Sequence, residues 1–263
     1  MITVTSAQLA AWLAAYAWPF ARIIALFSTD PIVGSPSVPA RVKIGLALLV
    51  AFVLSPTLGP FPAVDPGSAA GLLILMQQIV IGTAMGLVLR VVLAGVETAG
   101  QYIGLQMGLG FATLMDPQNA AQVPVLGEFT NLFAILVFFS FNGHLMVLSA
   151  LAESFHVLPV SAALLSGDGW RLLGQWGADI FLAAAWLSLP VVATLLITNL
   201  AIGVMTRAAP QINIFSVGFP ITLAAGFAIL YLTLPFALPL LERFWRDAVA
   251  MMLEVVQLAA PRG

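Results

Sequence analysis

Long apolar runs, rather than alternation of apolar and polar positions, dominate this chain. A helix crossing the hydrocarbon core of a bilayer needs about 20 mainly apolar residues, and about six stretches approach that length. The first runs from Leu9 to Phe27 and carries Arg22 in its second half. After the turn-rich STDPIVGSPSVPA, a shorter second stretch runs from Ile44 to Leu58 and is cut by Pro56. Pro60, Pro62 and Pro66 keep the linker Gly59–Ser68 from being helical throughout. The third stretch, Ala69–Ala94, contains Gln77, Gln78 and Arg90, with Gly82 and Gly86 as a small-xxx-small pair. Phe129–Leu151 is the fourth, Ile180–Met205 the fifth, interrupted at Pro190, and Ile214–Leu241 the sixth, with Pro220, Pro235 and Pro239. Residues 152–179 read as a loop with a short amphipathic piece, RAAPQIN (Arg207–Asn213) as a turn, and Glu242–Ala260 as an amphipathic helix at an interface. The fold class this predicts is all-α, a polytopic membrane protein of about six long helices broken by Pro and Gly.

One stretch departs from the oily background: Gly95–Asn119, GVETAGQYIGLQMGLGFATLMDPQN. Gly100, Gly104 and Gly108 recur every four residues, so they share one face of a helix. Small residues on one face let another backbone approach, which is how helices pack where lipid removes the ordinary hydrophobic drive. Glu97 and Gln101 lie on a neighbouring face. Pro117 biases Asp116 away from helical dihedrals, so the helix is expected to stop near Met115. The result is a packed helix running into a flexible tip that carries Met107, Phe111, Leu114 and Met115. Polarizable and aromatic side chains on a mobile tip suit a seal or gate. The same residues also fit a plain membrane helix with a glycine packing face and an ordinary loop after it.

Composition turns these runs into a membrane assignment. Only 8% of residues are charged and 61% are hydrophobic, whereas soluble domains carry about 25% charged residues. Residues 1–21 contain no Lys or Arg, so the basic start of a cleaved signal is missing and the first helix is expected to be retained. A net charge of -2 gives no case for nucleic acid, and zero cysteines excludes disulfides and thiolate ligands. Lys and Arg should mark the inner side of the membrane, but if all six stretches cross, the count ties. Arg41, Lys43, Arg90 and Arg207 fall on one side, and Arg171, Arg243, Arg246 and Arg262 on the other. Arg22, Arg90 and Glu97 sit at membrane depth, where each must face protein or water. Arg90 and Glu97 are two turns and ~10 Å apart along a helix, too far for a direct pair.

Catalytic chemistry is not visible. His144 and His156 have no carboxylate at ligand spacing, which argues against a metal site. GLGF at Gly108–Phe111 follows no strand and opens no helix, so it is not a nucleotide loop. Acidic residues are scattered singly, and no cofactor is implied. A secondary transporter remains as the alternative, because such proteins build solute sites at broken helices of the kind expected at Pro190.

Four blocks carry a family resemblance: Ser35–Pro56, Glu97–Asn119, FSFNGHLMVL (Phe139–Leu148) and RAAPQINIFSVGFPI (Arg207–Ile221). In this order they resemble the family of the flagellar biosynthetic protein FliR and its type III secretion counterparts, over nearly the whole chain. The resemblance implies a non-enzymatic core subunit of the protein export gate in the bacterial inner membrane, at the flagellar basal body or a secretion apparatus. One copy would assemble with FliP-like, FliQ-like and FlhB-like subunits into a closed cone that passes unfolded export substrates. Residues 1–175 would form a FliP-like part and residues 176–263 a FliQ-like two-helix part with an amphipathic tail. The cone would sit largely above the membrane plane, which would account for the tied charge count. A plug loop would match residues 107–119, with Met107, Phe111, Leu114 and Met115 closing the pore. Glu97, Gly100, Gln101, Gly104 and Gly108 would support it, and Arg207, Gln211 and Asn213 would fix the bend between the last two helices.

Overall fold

The computed structural model describes residues 6–59, 61–62, 64–110, 124–209 and 214–261, and their side chains except those of 6–14 and 214–216. Helix α1 spans Ser6–Thr29, and α2, Ala40–Leu54, closes in a 3-10 turn at Ser55–Thr57. Then come α3 (Ala69–Gln106), α4 (Val125–Ser140), α5 (Gly143–Val157), α6 (Asp168–Trp176), α7 (Asp179–Ala208) and α8 (Ile214–Leu258). The described residues contain no strand. Among the described residues, four helical stretches are long and apolar enough to cross a membrane: Ala40–Thr57, Ala69–Gln106, Asp168–Ala208 and Val217–Leu258. Counting α4 and α5 together gives a fifth.

The boundaries differ from the sequence expectation where a local signal was outweighed. The third stretch and the glycine-bearing helix are one 38-residue element, α3. The fourth stretch is two helices, because Asn142 adopts φ 60°, a left-handed conformation that Asn tolerates and bulkier residues do not. Its carbonyl then accepts from Leu145 and Met146 to start α5. Pro190 does not interrupt α7. Pro220, Pro235 and Pro239 all lie inside α8, which continues through the expected tail without a break. A proline removes one rung of the helical ladder and crowds the carbonyl four residues back, and a helix packed against neighbours absorbs that cost.

The helices group into two compact units, one of residues 1–91, 142–177 and 245–263, the other of residues 92–141 and 178–244. The first is pinned by polar groups in an apolar interior. Pro19 has no N–H to give to the Ala15 carbonyl, and Ser55 Oγ donates to that carbonyl instead, at 2.7 Å. Arg22 is fully buried. Its Nε donates to Gln78 Oε1 at 2.8 Å, its Nη1 to Ser154 O at 2.8 Å and Ser154 Oγ at 3.1 Å, and its Nη2 to Leu158 O at 2.9 Å. The guanidinium also lies 4.0 Å over the Phe155 ring. Ser154 and Leu158 close the C-terminal end of α5, where unpaired carbonyls and the helix dipole favour a cation. Gly82 and Gly86 receive α1: a Cβ on Gly82 would strike the Arg22 carbonyl, and one on Gly86 the Thr29 hydroxyl.

Candidate functional site

The second unit holds the residues expected to matter, and its geometry is set by the last turns of α3. Gly95 lies against α7, where a Cβ would come within 2.9 Å of Ala183 Cβ. One turn on, Gly100 lies against α4, where a Cβ would strike Thr130 Oγ1, the Leu126 carbonyl and Gly127 Cα. Gly127 returns the approach: a Cβ there would lie 3.2 Å from Gln101 Cγ and 3.3 Å from the Glu97 carbonyl. Thr130 Oγ1 bridges the crossing, donating to Val96 O at 3.2 Å or Gly127 O at 2.9 Å.

The shared glycine face is not what the spacing predicted. The nearest atoms to a Cβ built on Gly104 would be side-chain atoms, with Leu126 Cβ at 3.7 Å, an ordinary contact. Gly108 is not on the helix at all. It follows the last helical residue, Gln106, with φ 81°. Its N–H donates to Leu105 O at 3.1 Å and the next N–H, of Leu109, donates to Gly104 O at 3.0 Å. These two reversed bonds around a left-handed glycine form a Schellman cap, which satisfies the carbonyls a helix end leaves free. The helix therefore ends at Gln106, not near Met115. The glycine cap stops it before Pro117 can act.

Met107, at that end, is fully buried with Ile103, Leu126, Val191 and Leu195, and Leu109 packs against the same cluster. Gly226 on α8 makes room for it: a Cβ there would lie 2.6 Å from Met107 Cγ. The sequence reading missed Gly226, Gly127, Gly95 and Thr130. The spacing of Gly127 and Thr130 on one face of α4 was the available signal. Phe111, Leu114 and Met115, and likewise Gln211 and Asn213, lie outside the described residues. Arg207 is exposed in the last turn of α7, where a cation suits the helix dipole.

Glu97, Gly100, Gln101 and Gly104 line one open groove of about 530 Å³, together with Leu105, Leu109, Gly110, Pro124 and Val125. Glu97 is half-buried, and its Oε1 accepts from Gln101 Nε2 at 3.2 Å. A second hollow, of about 230 Å³, lies beside Pro190 and is lined by apolar side chains of α3, α4, α7 and α8 together with Thr130 and Thr233. Both hydroxyls are committed to backbone carbonyls, Thr233 to Leu230 O at 3.1 Å. Among the described lining residues the polar side chains are these two threonines and the indole of Trp186.

Long apolar helices, with a buried cation in one unit and glycine-mediated crossings in the other, define a helical membrane protein. The chain belongs to the family described as bacterial export proteins, family 1, which it matches over residues 13–248. It is 41% identical over 256 residues to the flagellar biosynthetic protein FliR of Escherichia coli (strain K12), covering 97% of this chain and 98% of the relative. It is 34% identical over 215 residues to FliR of Bacillus subtilis (strain 168), covering 80% and 82% respectively. With FliR of Aquifex aeolicus (strain VF5) it shares 28% identity over 226 residues.

Proposed function

We propose that this chain is a core subunit of the flagellar protein export gate in the bacterial inner membrane. In this reading it forms, with FliP-like and FliQ-like subunits and beside an FlhB-like one, the pore through which unfolded substrates leave. It acts without catalysis and needs no cofactor. The observation that carries the reading is the match to FliR relatives along 97% of the chain. The division into a FliP-like part, residues 1–175, and a FliQ-like part, residues 176–263, belongs to the same proposal.

The loop that follows α3 supplies the plug. Met107 anchors its foot in the apolar cluster, and Phe111, Leu114 and Met115 close the pore. Apolar contacts are non-directional, so they part for many substrate sequences without a specific match. Gly100 seats the plug-bearing helix on α4, Gly108 ends it, and Glu97, Gln101 and Gly104 line the groove at its foot. Arg207, Gln211 and Asn213 hold the bend between α7 and α8. A solute transporter would need polar groups beside Pro190, and the hollow there is apolar with its hydroxyls already bonded.

The test is to express the chain with and without its membrane partners, extract in mild detergent and weigh the intact particle by native mass spectrometry. One copy of this chain among several FliP-like and FliQ-like copies is expected. A stable monomer or homodimer indifferent to those subunits would refute the assembly. In cells, Phe111→Ala with Met115→Ala should leak ions, and unchanged membrane conductance would remove the plug.

A further inference from the structure

We infer that Gly226 is a positioning residue of the gate: the bare face it gives α8 receives Met107, and that fit sets where the plug-bearing stretch leaves α3. The inference rests on the plug assignment proposed above and names the residue through which α8 controls it. Met107 is held like a peg. Its N–H donates to Ile103 O at 2.9 Å, so its backbone belongs to the last turn of α3. Its side chain is fully buried among Ile103, Leu126, Val191 and Leu195, with Leu223 and Ile229 of α8 packed against the same cluster. The fit is closest at Gly226, where a Cβ would lie 2.6 Å from Met107 Cγ and 2.7 Å from both its Sδ and its Cε. Successive atoms of one side chain thus run along a bare Cα. Glycine inside a helix weakens it relative to alanine, and Gly226 lies inside α8, so packing is the reason for its place there. Methionine is unbranched and adaptable, which lets it lie in such a slot.

The cluster holds the plug-bearing stretch from both sides. Leu109 packs on it before residues 111–123, and Leu126 belongs to it just after them. Gly226 also differs in kind from Gly100. A methyl at Gly100 strikes the Leu126 carbonyl, which is backbone, whereas the nearest atoms to a methyl at Gly226 all belong to the Met107 side chain. A flexible side chain yields where a backbone does not, so the helices can still pack with alanine at 226. What gives way is the peg. Buried side chains close its other directions, so Met107 yields by shifting the end of α3 that carries it.

Gly226→Ala and Met107→Ala, alone and together in the full chain, are expressed with the other export subunits, and assembled complex and membrane ion conductance are measured. Gly226→Ala should assemble as wild type yet raise the leak roughly tenfold, the shift that overpacking one buried site produces in a closed-to-open equilibrium. Met107→Ala, which removes the peg, should leak as well. In the Met107→Ala background Gly226→Ala should add nothing, the non-additivity expected of residues in direct contact. An assembled, tight Gly226→Ala variant overturns the inference. So does an equal added leak in both backgrounds, which would mean that Gly226 acts through α8 itself. If Gly226→Ala does not assemble, Met107→Ala decides: a leak supports the positioning role and a tight membrane refutes it. Failure of both to assemble makes the pair a packing element and refutes it too. Phe111→Ala with Met115→Ala is the reference. A tight membrane there removes the plug assignment itself, whereas a leak there beside tight Gly226→Ala and Met107→Ala removes only the positioning role.

Discussion

At the scale of single residues, a few polar groups in apolar surroundings fix the structure. Arg22 joins three helices through hydrogen bonds to Gln78, Ser154 and Leu158. A lysine carries the charge but not the planar fork that reaches acceptors on two sides. Arg22→Lys should cost about 3 kcal/mol, since two or more charge-assisted bonds are lost around a buried cation. A fall of several degrees in the melting midpoint in detergent would show it, and an unchanged midpoint would contradict the account. Ser55 and Pro19 give a sharper case. Ser55→Ala should destabilise the protein by about 1 kcal/mol because the Ala15 carbonyl loses its donor. Pro19→Ala restores a backbone N–H, so in that background the serine should matter much less. Equal effects of Ser55→Ala in both backgrounds would show that the bond is incidental.

At the scale of elements, glycines decide which helices touch. Gly100 and Gly104 look equivalent in the sequence, yet α4 reaches the backbone only at Gly100. Gly100→Ala should lower the yield of folded protein, because its methyl falls on the Thr130 hydroxyl and the Leu126 carbonyl. Gly104→Ala should be tolerated, with Leu126 Cβ 3.7 Å away. Equal yields of the two variants, read by size-exclusion in detergent, would mean that the crossing relaxes freely. Proline signals were weaker than they read. Pro190 and the three prolines of α8 stay inside their helices. The helix breaks came instead from left-handed Asn142 and Gly108, residues that permit a conformation rather than forbid one.

At the scale of the whole molecule, much apolar surface is bare. Phe52 on α2 is 67% exposed, and Tyr231 on α8 is 77% exposed. Such residues need lipid or other subunits around them. The chain has no cysteine, so Phe52→Cys and Tyr231→Cys each place a single thiol on an otherwise silent background. In detergent, at least one of the two should react with a maleimide in the isolated chain and be shielded when the export subunits are present. Full reactivity of both thiols in the assembled particle would show that these faces are not where partners bind.

The sequence alone determined the medium and the class. An 8% charged, 61% hydrophobic chain cannot cover its surface in water, and apolar runs of span length have one common solution in lipid, the helix. It also marked Arg22 and Gly100, which the structure places in close contacts between helices, since polar or small groups stand out in such a background. Tertiary structure decided their pairings. Nothing in the linear order shows that Arg22 caps α5, that Ser55 serves the carbonyl Pro19 leaves free, or that Gly226 is bare so that Met107 can fill it. Each of these joins positions far apart along the chain. Sequence periodicity reports which face of a helix is apolar or small, whereas the partner that meets it is chosen only when the helices pack.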